Sequence, residues 1–288
     1  MRTQSTDTAP EIERLQILRI RAMPLARKFA SIRNGTAMLA DANMVAANAE
    51  LAPQNADIDA QRAPDFVARQ YGVSVSPELA AAIDRRCGQR HGQFDILAPL
   101  FEMTGLLHDL RCHYALVGQL ACALYGFPRP AFTIEMLTTS SLTRVAELAA
   151  RPGSDLLLCE PTGANSLVSS AQRNAFAHLD FLHLPSLVKI TIQLSSAGNF
   201  NRTVLHHGRA LHLVDGMAPV SMATPEHIIL MEIMAFQRSR DDDRWNDMLG
   251  VLKVQSPSLN LAALSEWGER LGISQLLQQA LQDAGIAA

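Results

Sequence analysis

Between Tyr114 and Thr139 the chain changes its hydrophobic period twice, and this stretch restricts the fold more than any other. Tyr114–Val117 is a short apolar run that stops at Gly118, a backbone position free to turn. Leu120–Tyr125 is apolar on all sides and rich in Ala, which suits a buried helix. Gly126-Phe127-Pro128 closes that helix, because Gly ends helices and Pro cannot continue one. Phe132–Leu137 then returns as a strand. Period two places Thr133 and Glu135 on one face and Ile134 and Met136 on the other. The order reads strand, turn, helix, turn, strand.

These residues resemble the core of the nucleotidyltransferase superfamily, nearest to the group found in toxin–antitoxin and abortive-infection systems. The family pattern is a strand ending in Gly-Gly or Gly-Ser, a short helix, Gly-x-Pro-Arg-x-Thr, then Asp-x-Asp on the next strand. Gly118, Ala121, Gly126, Pro128 and Arg129 match it in identity and spacing. The positions that carry chemistry depart from it. Gln119 stands at the second Gly or Ser, Ala131 at the Thr, Thr133 at the first Asp and Glu135 at the second. Leu179-Asp180-Phe181-Leu182 is similar to the later strand that carries the family's third carboxylate. Downstream, Thr224-Pro225-Glu226 and the run Arg238–Asp247 are similar to the family's closing helical pair, with Glu232 near where a Lys is usual. The resemblance covers Phe94 to about Leu271.

It implies an α/β (α+β) fold: a nucleotidyltransferase-like mixed sheet with flanking helices, a C-terminal helical region and an N-terminal helical appendage. The expected segments are 1–93, 94–222 and 223–288. Net charge is −3 and the pI about 6.3, so no global charge draws the chain to nucleic acid or to an anionic membrane. Cys87, Cys112, Cys122 and Cys159 are scattered without a Cys-x-x-Cys spacing. They read as buried thiols in a reducing compartment, and the expectation is a cytoplasmic protein. No apolar run reaches the length of a membrane span.

In chain order, Glu11–Ala22 is an amphipathic helix interrupted by Pro24. Leu25–Glu50 is Ala-rich and helical in character. Leu51–Pro64 reads as a linker, and Asp65–Tyr71 and Pro77–Arg86 as short helices, the latter capped by Ser76. Phe94–Leu110 and Leu142–Ala150 predict helices, Asp155–Cys159 a strand and Pro161–Ser170 a loop. His178–Leu184 alternates as a strand. Val204–His207, Ala210–Val214 and Val220–Met222 read as short extended pieces. Thr224 caps a helix with Pro225 in its first turn, with Ile228–Phe236 as its body. Leu259–Leu271 and Ser274–Ala284 close the chain. The helix Glu11–Ala22 has too little apolar area to stand alone and must dock, on the rest of the chain or on a second copy.

Nucleotidyl transfer needs divalent metal between carboxylates and a triphosphate. The resemblance therefore assigns Glu135 and Asp180 as catalytic residues and as ligands of a weakly held Mg2+. It assigns Gly118, Gln119, Arg129 and Thr133 to nucleotide binding. Thr133 brings no charge, and Glu135 is one methylene longer than Asp. The expected role is a degenerate member acting in binding or regulation, with weak or no transfer. Two alternatives stand beside it. One is an active enzyme moving a nucleoside monophosphate from a nucleoside triphosphate to RNA, protein or a small molecule. The other is an antitoxin-like or scaffold partner. His178, Asp180 and His183 do not form a metal set on a strand, since His183 points away from the other two. Arg129 follows the Gly-x-Pro turn and suits either an anion or a structural salt bridge. The sequence leaves the oligomeric state open.

Overall fold

The computed structural model describes residues 2–4, 8–51, 58–72, 75–87, 94–138, 155–159, 177–194 and 198–286. Among them are eleven helices and seven strands. The fold class is α/β, with parallel and antiparallel strand pairing and flanking helices. The chain divides into two compact units, each assembled from distant pieces. One comprises Met1–Ile32, Tyr114–Ala131 and Asn199–Ala288, the other Arg33–His113 and Phe132–Gly198. The linear boundaries expected near residues 93 and 222 are thus not the boundaries of these units. The helices within residues 1–93 fall partly in each unit.

In the first unit, α1 (Pro10–Ala22) opens with Glu11 and Glu13 and closes with Arg19 and Arg21, the charge order that a helix dipole favours. Strand β1 (Tyr114–Val117) leads into α6 (Gly118–Tyr125). Gly118 has φ +66°, a conformation that Gly adopts without strain. Every residue of α6 except Gln119 is buried. Helix α7 (Asn199–His206), strand β6 (Arg209–Leu211) and strand β7 (Val220–Met222) follow. Strand β7 pairs parallel with β1 and antiparallel with β6. Val204–His207 is not the extended piece expected from the sequence. These residues finish α7, whose buried Phe200 and Val204 sit four apart on one helical face.

Four helices complete this unit: α8 (Pro225–Ser239), α9 (Asp242–Gln255), α10 (Leu261–Arg270) and α11 (Ser274–Ala284). Thr224 caps α8, its hydroxyl accepting from the His227 amide. Arg240 ends α8 in the left-handed conformation, and Asp241 caps α9 by accepting from Asp243 N–H. Helix α9 is the centre of the unit. Trp245 and Met248–Val254 are all buried, and α1, α6, α8 and α11 pack around it. Gly126 permits the closest approach. A Cβ there would lie 2.9 Å from the Cys122 carbonyl, Gly250 C and Val251 N.

Helix α1 docks on α9 through polar as well as apolar contacts. Arg21 donates from Nε to the Val254 carbonyl (2.8 Å) and from Nη2 to the Lys253 carbonyl (2.6 Å). It thereby satisfies the acceptors that a helix end leaves open. Lys253 Nζ meets Glu13 Oε1 at 3.0 Å, with each side chain 1% exposed. Lys253 also donates to the Arg2 carbonyl, and Glu13 accepts from Gln4 N–H. Burial lowers the Lys253 pKa, and Glu13 opposes that shift. The expected docking of α1 on the chain is therefore present within this unit.

The second unit holds the rest of α2 (Leu25–Leu51), α3 (Ile58–Tyr71), α4 (Pro77–Cys87) and α5 (Leu97–Asp109). It also holds β2 (Thr133–Thr138), β3 (Leu156–Leu158), β4 (Ala177–His183) and β5 (Val188–Leu194). The linker reading fails from Ile58 onward. Helix α3 begins there and carries Pro64 inside it. Phe66 of α3 packs edge-to-face on Phe94, which packs likewise on Phe132, at centroid distances of 5.3 and 5.7 Å. This aromatic burial outweighs the helix-breaking tendency of a single Pro. The Tyr71 hydroxyl donates to the Leu187 carbonyl (2.7 Å) and accepts from Lys189 N–H (3.2 Å). Strands run in the order β3-β4-β5-β2, antiparallel except for the parallel pair β5–β2. The readings Leu142–Ala150 and Pro161–Ser170 lie outside the described residues.

Removing one member of a buried ion pair leaves the other uncompensated, at a cost of about 3–5 kcal/mol. Glu13→Ala is expected to lower unfolding stability by about that amount, whereas Glu11→Ala, an exposed change on the same helix, should shift it by less than about 0.5 kcal/mol. Chemical denaturation of both variants measures the difference, and equal stabilities would remove the pair from this account.

Candidate functional site

Strand register brings the expected carboxylates onto one face. In the β2–β5 pair, Thr133 stands opposite Lys189, Glu135 opposite Thr191 and Leu137 opposite Gln193. In the β5–β4 pair, Thr191 stands opposite Asp180 and Gln193 opposite His178. Residues directly opposite share a face. One row of the sheet is therefore Glu135, Thr191 and Asp180, flanked by a row with Thr133 and Lys189 and a row with Gln193 and His178. The opposite face is largely apolar: Ile134, Met136, Leu179, Phe181, Ile190 and Ile192 are all buried, with Thr138 and His183 as its polar members at the strand ends.

Each expected metal ligand already has protein partners. Asp180 Oδ1 accepts from the Thr191 hydroxyl at 2.7 Å. Asp180 Oδ2 accepts from Lys189 Nζ at 3.2 Å, and His178 Nε2 lies 3.8 Å from the same oxygen. Glu135 Oε2 accepts from the Gln193 side-chain amide at 3.1 Å. Both acids are buried. Strands lie about 4.8 Å apart, so the backbones of Glu135 and Asp180 stand about 10 Å apart with Thr191 between them. A single Mg2+ needs ligand oxygens at about 2.0–2.1 Å. Both side chains would have to lean across Thr191 to share one.

The remaining expected residues belong to the first unit. Gly118 forms the turn at the start of α6, and Gln119 is its one residue that is not fully buried. Arg129 is engaged within that unit. Its Nη1 lies 3.3 Å from Asp247 Oδ1 and its Nη2 donates to Gln4 Oε1 at 2.6 Å. Burial pushes the Asp247 carboxyl up to about 6, and Arg129 pulls in the other direction. The salt bridge expected as one use of Arg129 is present within this unit. Glu232 pairs with Arg244 at 3.0 Å, so its acidic character has a local counter-charge.

Sequence reading missed Lys189, Thr191 and Gln193. The signal was there: Val188-Lys-Ile-Thr-Ile-Gln-Leu194 alternates strictly, and its burial follows the same alternation. A second cluster was also missed, on the other face of β4. Glu102 of α5, Asp155 just before β3 and His183 at the end of β4 each offer a ligand atom within 4.8 Å of the others. Burial pushes the His183 imidazole down to about 4. Burial raises the Glu102 carboxyl, and the nearby Asp155 charge adds to that effect.

Compared with known protein families, the chain matches none. No curated protein is significantly similar to it.

Thr191→Val keeps the shape of the strand and removes the donor to Asp180. A buried carboxylate left short of a partner costs about 1–3 kcal/mol. Thermal and chemical unfolding of T191V should show that loss, and a T191V chain as stable as the native one would mean that Asp180 does not depend on Thr191.

Proposed function

We propose that this chain keeps a nucleotidyltransferase-like frame as a binding or regulatory protein with weak or no nucleotidyl transfer. One observation carries the reading: Lys189 donates to Asp180 at 3.2 Å. Its tethered ammonium puts a positive charge on the face where a metal-dependent enzyme would bring magnesium. Thr133, in register with Lys189, supplies no carboxylate to offset that charge. A second divalent ion there would meet repulsion with too few anions to compensate it. The frame is compatible with a nucleoside triphosphate as ligand and with an RNA or protein partner, and Mg2+ would be held weakly at Glu135 and Asp180.

The test uses the native chain and the double variant T133D/E135D. Each is incubated with magnesium, labelled nucleoside triphosphates and a pool of RNA and protein acceptors. The native chain is expected to transfer no label, and the double variant to bind magnesium more tightly. Label transfer by the native chain that disappears on Asp180→Ala would overturn the proposal and make Glu135 and Asp180 working metal ligands.

A further inference from the structure

We infer that Glu102, Asp155 and His183 form a site for a divalent transition metal of the zinc kind, separate from the carboxylates at Glu135 and Asp180. Strand β4 separates the two sets, because Asp180 and His183 project from its opposite faces. The geometry is built by three elements of one unit. The β3–β4 hairpin pairs Leu156 with His183 and ties Leu184 N–H to the Asp155 carbonyl at 2.8 Å, so Asp155 is held next to His183. Glu102 on α5 accepts the Asp155 N–H at Oε1 (3.1 Å). That bond fixes its carboxylate and turns Oε2 toward His183 Nε2 at 3.4 Å.

Three features favour a metal over a simple His–carboxylate contact. The 3.4 Å separation is longer than the 2.7–3.2 Å of a well-formed N–H···O bond. It matches the ligand-to-ligand edge of about 3.4 Å that a tetrahedral ion makes with bonds of about 2.0–2.2 Å. The far nitrogen of the imidazole is anchored independently of the cluster. His183 Nδ1 lies 2.6 Å from the Ser186 hydroxyl, and His183 and Ser186 are 3% and 4% exposed. Ser186 N–H also reaches Nδ1 at 3.3 Å. A metal on Nε2 requires the tautomer in which Nδ1–H donates to the Ser186 hydroxyl, the second-partner arrangement that orients a metal-binding His. The set of one imidazole and two carboxylates is also the donor chemistry that zinc accepts. Glu102 and Asp155 are only partly buried, which leaves solvent access for an ion and for a water ligand.

The experiment titrates Zn2+ into the full chain against a chromophoric chelator, and repeats it with Co2+, whose absorption reports coordination geometry. The native chain is expected to take up one equivalent, with Co2+ giving a tetrahedral spectrum. Glu102→Gln and Asp155→Asn, both at partly exposed positions, should weaken binding at least about tenfold, and Ser186→Ala by about 10–100-fold. Far-UV circular dichroism confirms that each variant is folded. Glu135→Gln should leave Zn2+ affinity unchanged, which separates this site from the one in the proposed function. Equal Zn2+ affinity in the native, E102Q and D155N chains would overturn the inference, as would an octahedral Co2+ spectrum insensitive to S186A.

Discussion

Side-chain alternation across three paired strands governs what this molecule can do chemically. On β2, β5 and β4 the even spacing of polar residues builds a polar face of Thr133, Glu135, Lys189, Thr191, Gln193, His178 and Asp180. Alternation also forces every intervening residue into an apolar core on the other side. Polar groups in that setting must be satisfied or pay for desolvation. Here they satisfy one another. The carboxylates of this sheet face are held by an ammonium, a hydroxyl and an amide.

The same logic organises the helical core of the first unit. Helix α9 is buried on nearly all sides, so its one charged interior residue, Lys253, needs a partner, and Glu13 reaches it from residues distant in sequence. Gly126 lets backbone approach backbone where any side chain would intrude. Arg129, displayed by the turn that follows, is drawn to Asp247 of α9 and to Gln4. In both units, charges that a motif-based reading assigns to ligands also have protein partners.

Much of the fold was legible because it rests on local rules. The strand, turn, helix and strand from Tyr114 to Thr138 appear where the period changes and Gly118 place them. Thr224 and Pro225 mark the start of α8, and α11 spans Ser274–Ala284 as its pattern predicts. The misses have non-local causes. Residues of α3 before Asp65 read as linker because Pro64 signals a break, and the aromatic contacts of Phe66 are invisible in sequence. Strand β5 passed unnoticed although its Lys-x-Thr-x-Gln alternation was available. The site was legible only as a list of acids. That Asp180 stands opposite Thr191 with Lys189 on the diagonal, and that Glu102 meets His183, follow from register and from helix placement, neither of which residue spacing contains.

The proposed function turns on Lys189 holding Asp180, which leaves Asp180 only a weak magnesium ligand. A double-mutant cycle tests it directly, comparing native, D180N, K189M and the double variant by chemical denaturation with and without magnesium. A favourable coupling of about 1 kcal/mol or more is expected for this partly buried pair, with the same value when magnesium is present. A coupling near zero, or one that collapses when magnesium is added, would contradict it.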